Sequence, residues 1–542
     1  MRPFLTLHHP ATAARYYAEG TWQKDTFYSL MRGHAERSPD ELALNDGRHQ
    51  LTWAQLANWV DGMAADLHEH GIERGDRVSL WLGNRAEVVV AFLACCRNGV
   101  ACNPSLHRTY TSSEIVLLLD RLRAKALLTE PGWGADAAGT DTMGVLKAAA
   151  SLQRIYTPAD FPKPGPADVV PVDDPDKVAY LAFTSGTTGV PKCVMHSDNT
   201  LLANARDLVR DWGHGPSTKL LSLSPLSHHI AWVAVAQWLV AGCTLITDNP
   251  PAGMSRLDWI VQTGATYVMG VPTHAMDILA EQKRLGMTKI GGVELFYMAG
   301  APIPPSVCEA FVKQGIRPQN IYGMTENSSH QYTHPSDDNA VIVATCGHGG
   351  KAYQVKLFDP TDENCEVPAG TVGQIGGRGG ALMLGYFANQ EATEASFNRE
   401  GWFLSGDLGV LDEKGNLSIE GRLKDLIIRG GHNIYPAQIE ALALRHPAVQ
   451  RVACYPVGDE RLGERACIAV IGDVEAYALL EHLAEKGLSK FDMPEYFLRV
   501  SQFPLTPSGK ILKRNLIEMT KRGELAPVAV RWVETNAQVG AG

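Results

Sequence analysis

The stretch RVSLWLGNRAEVVVAFLACCRNGV, Arg77 to Val100, contains two apolar runs of different length. The first, Arg77 to Leu82, has strand length and no polar alternation, which predicts a strand buried on both faces. The second is too long for a strand and closes at Gly99, the residue type that ends helices. A buried strand feeding a buried helix is the unit of an α/β fold. Working outward, AKALLTE (Ala124–Glu130) and STKLLSLSP (Ser217–Pro225) predict further strands. SRLDWIVQTG predicts a helix, ATYVMGV a strand, and PTHAMDILAEQKRLG a helix with Pro272 in its first turn. GVELFYMAG then leads through a loop to the helix PPSVCEAFVKQG. Alternation of this kind implies parallel sheets covered by helices.

After about Val341 the texture changes to short β segments broken by glycine, VGQIGGRGGALMLGY and GVLDEKGNLSIEGR. Beyond them, LIIRGGHNIYPAQIEALALRHPAVQRVACYPVGD and the tail predict a small α+β domain. The expected fold is therefore α/β. A large N-terminal domain (1–423) holds two helix-covered sheets and a small β-rich subdomain, and a small α+β C-terminal domain (424–542) begins at Lys424.

A length of 542 residues exceeds one hydrophobic core, and 45% hydrophobic with 20% charged residues is ordinary for a globular protein. A net charge of −10 argues against nucleic acid, which needs a basic face, but allows a small polyanionic ligand held by a few cations. Ten scattered cysteines without a Cys-x-x-Cys pair predict reduced thiols. The first residues carry no continuous apolar run, and nowhere do about 18 uncharged apolar residues occur together, so no signal peptide or membrane span is expected. A cytoplasmic location follows from this as an expectation.

Tyr180 to His196, YLAFTSGTTGVPKCVMH, runs from an apolar strand into a segment made only of Thr, Ser and Gly, closed by Val-Pro-Lys. Small residues let backbone N–H groups and hydroxyls reach phosphate oxygens. A P-loop is excluded, because Lys192 stands behind Pro191 rather than directly after the last glycine. Taken alone, such a cluster is more often a surface loop, but the apolar residues on both sides count against that.

FTSGTTGVPKCVMHS resembles the signature loop of the adenylate-forming superfamily of acyl-CoA synthetases, adenylation domains and firefly luciferase. Further matches follow in the family's order: PLSHH (Pro225–His229), YMAGAP (Tyr297–Pro302), YGMTE (Tyr322–Glu326) and GWFLSGDLG (Gly401–Gly409). GRLKDLIIRGGHNIYPAQIE (Gly421–Glu440) and PLTPSGKILKR (Pro504–Arg514) complete the series. The resemblance implies a reaction in two halves. A carboxylate attacks the α-phosphorus of ATP, giving acyl-AMP and pyrophosphate, and a thiol then displaces AMP to form a thioester.

By that resemblance, Thr184, Ser185, Gly186, Thr187, Thr188 and Gly189, with Lys192, hold the pyrophosphate end of ATP. Thr325 meets the α-phosphate, and Glu326 places Mg²⁺, a hard ion that prefers oxygen. Tyr322, followed by Gly323, offers an aromatic face to adenine, and Gly300, Ala301 and Pro302 leave room for the base. Asp407 accepts the ribose hydroxyls, and Arg422 makes a second ribose or phosphate contact. Alone, an Asp in SGDLG is usually a turn residue. Lys510 bridges the substrate carboxylate and α-phosphate, Lys424 is the hinge of a mobile C-terminal domain, and Gly430 and Gly431 let pantetheine pass close to backbone. His228 matches the aromatic gate between the acid and the thiol tunnel, while His229 is left unassigned. Adjacent histidines without other ligands are weak evidence for zinc.

Trp232, Val235, Met269 and Val271 favour an apolar acid, alicyclic, aromatic or short to medium aliphatic, and the sequence resembles cyclohexanecarboxylate and related acyl-CoA ligases. The implied cofactors and substrates are ATP, Mg²⁺ and coenzyme A. A small-molecule carboxylic acid and CoA are the expected partners, with a carrier protein and a homodimer as further options. A stand-alone adenylation enzyme serving a carrier protein is the second reading. A luciferase-like oxygenase and a non-catalytic binding protein are further ones.

Overall fold

The computed structural model describes residues 10–184, 191–301, 303–505 and 511–532. The strand–helix pair that opened the sequence reading folds as strand Arg77–Leu80 and helix Ala86–Asn98. The strand stops two residues short of the expected Leu82. Every residue of the helix is buried, so its polar members need partners. Arg97 pairs with Asp61 at 3.0 Å, and Glu87 with Arg85 at 2.8 Å. Gly99 closes the helix at φ 69°, a left-handed conformation that costs glycine little.

Among the described residues the strands form four sheets. In the first, the order is Ser328–Tyr332, Arg317–Met324, Leu295–Ala299, Tyr267–Gly270, Lys219–Ser222, Thr244–Thr247, Leu42–Asn45 and Gln50–Thr52. In the second, it is Gly385–Tyr386, Lys192–Ser197, Val178–Thr184, Ala101–Asn103, Arg77–Leu80, Ala126–Leu128 and Arg154–Tyr156. The interiors are parallel, as the strand–helix alternation predicts. The edges are not. Arg317–Met324 turns back antiparallel into Ser328–Tyr332, and Val178–Thr184 into Lys192–Ser197. Short connections can only join antiparallel strands, and both of these carry segments of chemical interest.

A third sheet orders Asp362–Glu366, Tyr353–Asp359, Gly373–Gly379, Phe403–Leu411 and Leu417–Arg422, the β-rich segment expected after Val341. The fourth is built on the hairpin Val449–Asp459 with Gly463–Gly472 and is covered by helices Pro436–Ala443 and Ala476–Glu485, giving the expected α+β texture. By compactness the chain divides into two units. The first comprises Met1–Val355, Gly377–Phe403 and Lys414–Leu417, and the second comprises Lys356–Gly376, Leu404–Glu413 and Ser418–Gly542. All ten cysteines are free thiols. No helix among the described residues is long and apolar enough to cross a membrane.

Candidate active site

In the first unit, the Gly/Ser/Thr segment leaves strand Val178–Thr184, and Lys192 opens the returning strand, directly opposite Thr184. Ser185, Gly186, Thr187, Thr188 and Gly189 lie outside the described residues, as do Pro302 and Lys510. Lys192 directs its ammonium over the Tyr386 ring, 4.6 Å from the centroid. Such a contact holds a lysine without neutralising it. The Tyr386 hydroxyl donates to Glu326 Oε1 at 2.9 Å. Burial, then the Glu326 charge, raises the Tyr386 phenol well above its ordinary value, so it remains a donor. Lys192, Tyr386 and Glu326 thus form a continuous chain from the hairpin to the Thr-Glu pair. Sequence reading missed Tyr386. Its two-residue strand joins the edge Lys192–Ser197 through long-range pairing and has no local pattern to announce it.

Thr325, Glu326 and Asn327 form the turn between Arg317–Met324 and Ser328–Tyr332. Thr325 is partly exposed and Glu326 buried. The sequence shows why the chain turns here: the Asn327 side chain accepts from the Met324 N–H at 3.0 Å, a local turn that asparagine favours. Ser328 then adopts φ 57°, a left-handed conformation uncommon outside glycine. Gly323 has no room for a side chain, since a Cβ there would sit 1.8 Å from the Ser328 carbonyl oxygen. Tyr322 packs edge-on against His330 at 5.5 Å, and burial holds His330 down to about 3. Gly300 and Ala301 are exposed beyond the C-terminal end of strand Leu295–Ala299, with Gly300 at φ 87°. The space beyond such strand ends is where α/β sheets receive ligands.

His228 is the N-cap residue of helix His229–Ala241, its ring 4.4 Å from that of His107. His107 Nδ1 lies 3.1 Å from the Ser227 hydroxyl, and burial, then the neighbouring His228, holds its ring down to about 3. Unassigned from sequence, His229 bridges Tyr180 and Ser328 at 3.2 and 3.1 Å and is held neutral by burial. Trp232, Val235 and Met269 are fully buried in the largest core cluster, while Val271 is half-buried at the start of helix Pro272–Arg284.

In the second unit, Asp407 is nearly buried, and Arg422 pairs with it at 3.2 Å. Lys424 is exposed within the turn Leu423–Asp425. Gly430 (φ 58°) and Gly431 (φ 88°) are the two-residue link between strands Ile427–Arg429 and His432–Ile434. Positive φ at both central positions is the tight-hairpin geometry, which explains two consecutive glycines. The same unit has a cleft of about 290 Å³ whose lining includes Arg429, Lys490, Phe491, Arg531 and Trp532.

The family pattern described as AMP-binding enzyme matches residues 31–387, more than half the chain. The chain belongs to the AMP-binding enzymes. A second pattern, the C-terminal domain of AMP-binding enzymes, matches residues 438–510. Among AMP-binding relatives, the medium-chain fatty-acid–CoA ligase of Escherichia coli is 28% identical over 541 residues, covering 95% of this chain and 93% of the relative. The mitochondrial medium-chain acyl-CoA ligase ACSF2 of Homo sapiens is 30% identical, covering 93% and 90%. The solved o-succinylbenzoate CoA synthetase of Bacillus subtilis, in complex with its acyl-adenylate intermediate, superposes with TM-score 0.81 at 26% identity, covering 91% and 98%. The chain stands in the adenylate-forming acyl-CoA synthetase branch of these AMP-binding enzymes, whose substrates include ATP and CoA.

Proposed function

We propose that this chain activates an apolar carboxylic acid, alicyclic, aromatic or short to medium aliphatic, as its acyl-AMP with release of pyrophosphate, and transfers the acyl group to CoA. The observation that carries this reading is the Lys192–Tyr386–Glu326 chain, which puts a cation and a carboxylate at the exits of two motifs expected to meet the same triphosphate. Charge gathers on the α-phosphoryl group and the departing pyrophosphate, so positioned donors and cations supply most of the catalysis. Thr184 to Gly189 and Lys192 receive the pyrophosphate end, Thr325 meets the α-phosphate, and Tyr322 with Gly300, Ala301 and Pro302 frames the adenine. Asp407 and Arg422 hold the ribose.

Glu326 fits a hard divalent cation. It is a buried carboxylate, oriented by a tyrosine hydroxyl, and its oxygens are the donor type a hard cation prefers. When bound, Mg²⁺ would screen the phosphate charge at that carboxylate. Lys510 bridges the acid and the α-phosphate. In this reading the chain works as a 1–423 domain and a 424–542 domain that reorients about Lys424 between the two half-reactions, bringing Gly430 and Gly431 to pantetheine while His228 gates the thiol path.

For the acceptor, the cations and aromatic faces of Arg429, Lys490, Phe491, Arg531 and Trp532 suit the phosphates and adenine of a nucleotide thiol. A phosphopantetheinyl carrier protein is the second reading, by the resemblance to stand-alone adenylation enzymes. Incubating the enzyme with ATP, Mg²⁺ and a panel of acids, first with CoA and then with a phosphopantetheinyl carrier, separates the two. Mass detection should find the CoA thioester of an apolar acid. A product seen only on the carrier would replace CoA as acceptor, and no ATP–pyrophosphate exchange with any acid would overturn the ligase reading.

A further inference from the structure

The Thr325–Asn327 turn is held from several directions. Glu326 is tied through its carbonyl to the Met383 N–H at 2.7 Å and through its side chain to Tyr386. Asn204 brackets the Ser329 backbone, donating to its carbonyl at 3.0 Å and accepting from its N–H at 3.1 Å. Thr325 is reached from elsewhere. His196 Nε2 lies 2.6 Å from the Thr325 carbonyl oxygen. A carbonyl can only accept, so Nε2 carries the hydrogen and Nδ1 faces the Thr200 hydroxyl at 3.0 Å. His196 belongs to strand Lys192–Ser197, which begins at the lysine closing the Gly/Ser/Thr segment.

We propose that His196 is a positioning residue for adenylation: its hydrogen bond to the Thr325 carbonyl ties the strand leaving the Gly/Ser/Thr segment to the turn presenting Thr325 and Glu326. The inference rests on the reading of that turn given above. A left-handed serine persists only where its surroundings over-determine it, and Ser328 stands three residues beyond the tethered carbonyl. The His229 ring, 5.7 Å from that of His196 and nearly parallel to it, reaches the Ser328 hydroxyl. A buried and a half-buried imidazole therefore hold the two ends of one turn, one from the phosphate hairpin and one from the helix that starts after His228. Burial holds His196 down to about 4, so the tether is unchanged near neutral pH.

A histidine that merely fills the core would make the same contacts, so the test must read catalysis by halves. His196→Ala and His196→Gln in the full chain are compared for ATP–pyrophosphate exchange and for CoA thioester formation from synthetic acyl-AMP. His196→Ala is expected to lower exchange kcat by about 10²-fold, since small misplacement of a reacting group costs that much. Thioester formation should be spared. Glutamine can present an N–H at similar reach and should recover most of the loss, whereas His196→Asn, one methylene shorter, should not. If His196→Ala fails to fold, the Gln–Asn difference remains the readout, and equal activities there overturn the proposal. Equal loss of both half-reactions, or intact exchange with only a lower melting temperature, also overturns it. Absence of exchange in the parent chain with every acid overturns the ligase reading itself.

Discussion

In the first unit, His107, His196, His214, His274 and His330 are held near 3 or 4 by burial, and His229 well below its ordinary value. The hydrogen bonds that His196 and His229 make to the Thr-Glu turn join neutral groups. The second unit works with charge nearer the solvent. Arg422 pairs with Asp407 at 3.2 Å and Arg499 with Glu475 at 2.9 Å, each with at least one partner substantially exposed. Buried neutral networks fix geometry, because breaking one leaves an unpaired polar group. Exposed ion pairs contribute little and rearrange readily. The contrast sets a firmly held turn in the first unit against charged groups that rearrange readily in the second.

The largest expected effect challenges that division directly. Lys510→Ala should lower ATP–pyrophosphate exchange by roughly 10²–10³-fold, the scale of losing one transition-state contact, while largely sparing thioester formation from synthetic acyl-AMP. Equal loss in both assays would mean the second unit does not divide its labour between the half-reactions. Next, Lys424→Pro should leave adenylation near normal and slow thioester formation, because proline fixes φ at the proposed hinge. Single-turnover rates for each half-reaction measure it, and unaltered transfer would remove the hinge.

A smaller effect sharpens the first unit's side. Tyr386→Phe removes one hydrogen bond to a carboxylate, worth about 1.5–3 kcal/mol, so adenylation should fall by roughly 10- to 10²-fold, with a raised Mg²⁺ requirement in steady-state titration. An unchanged Mg²⁺ dependence would detach Tyr386 from Glu326. The smallest effect concerns stability. The five first-unit histidines that desolvation depresses have folded-state values below the ordinary 6.5, so the unfolded chain binds more protons at mildly acidic pH. Their contribution is fully present above about pH 6.5 and is lost as pH falls toward 4. Hydrogen exchange across that range should show protection falling more steeply in the first unit, and parallel loss in both would contradict the contrast.

Several features were legible in the sequence for identifiable physical reasons. Apolar run length separated strand Arg77–Leu80 from helix Ala86–Asn98, and Gly99 announced the helix end. Pro191 before Lys192 excluded a P-loop, and the structure indeed starts a strand at Lys192. Each of these is a local effect, carried by neighbours in the chain.

What stayed hidden was the set of contacts between distant segments. His196 reads as one histidine at the end of an apolar run until the fold sets it beside Thr325, and His229 had no assigned role until Tyr180 and Ser328 met it. Tyr386 lies nearly two hundred residues from the strand it joins, a separation that no periodicity records. The sequence alone determined the α/β alternation and the family, because those depend on residue type and local order. Only the tertiary structure decided which buried polar atoms are satisfied by which partners, because a hydrogen bond depends on distance in space and direction, not on distance along the chain.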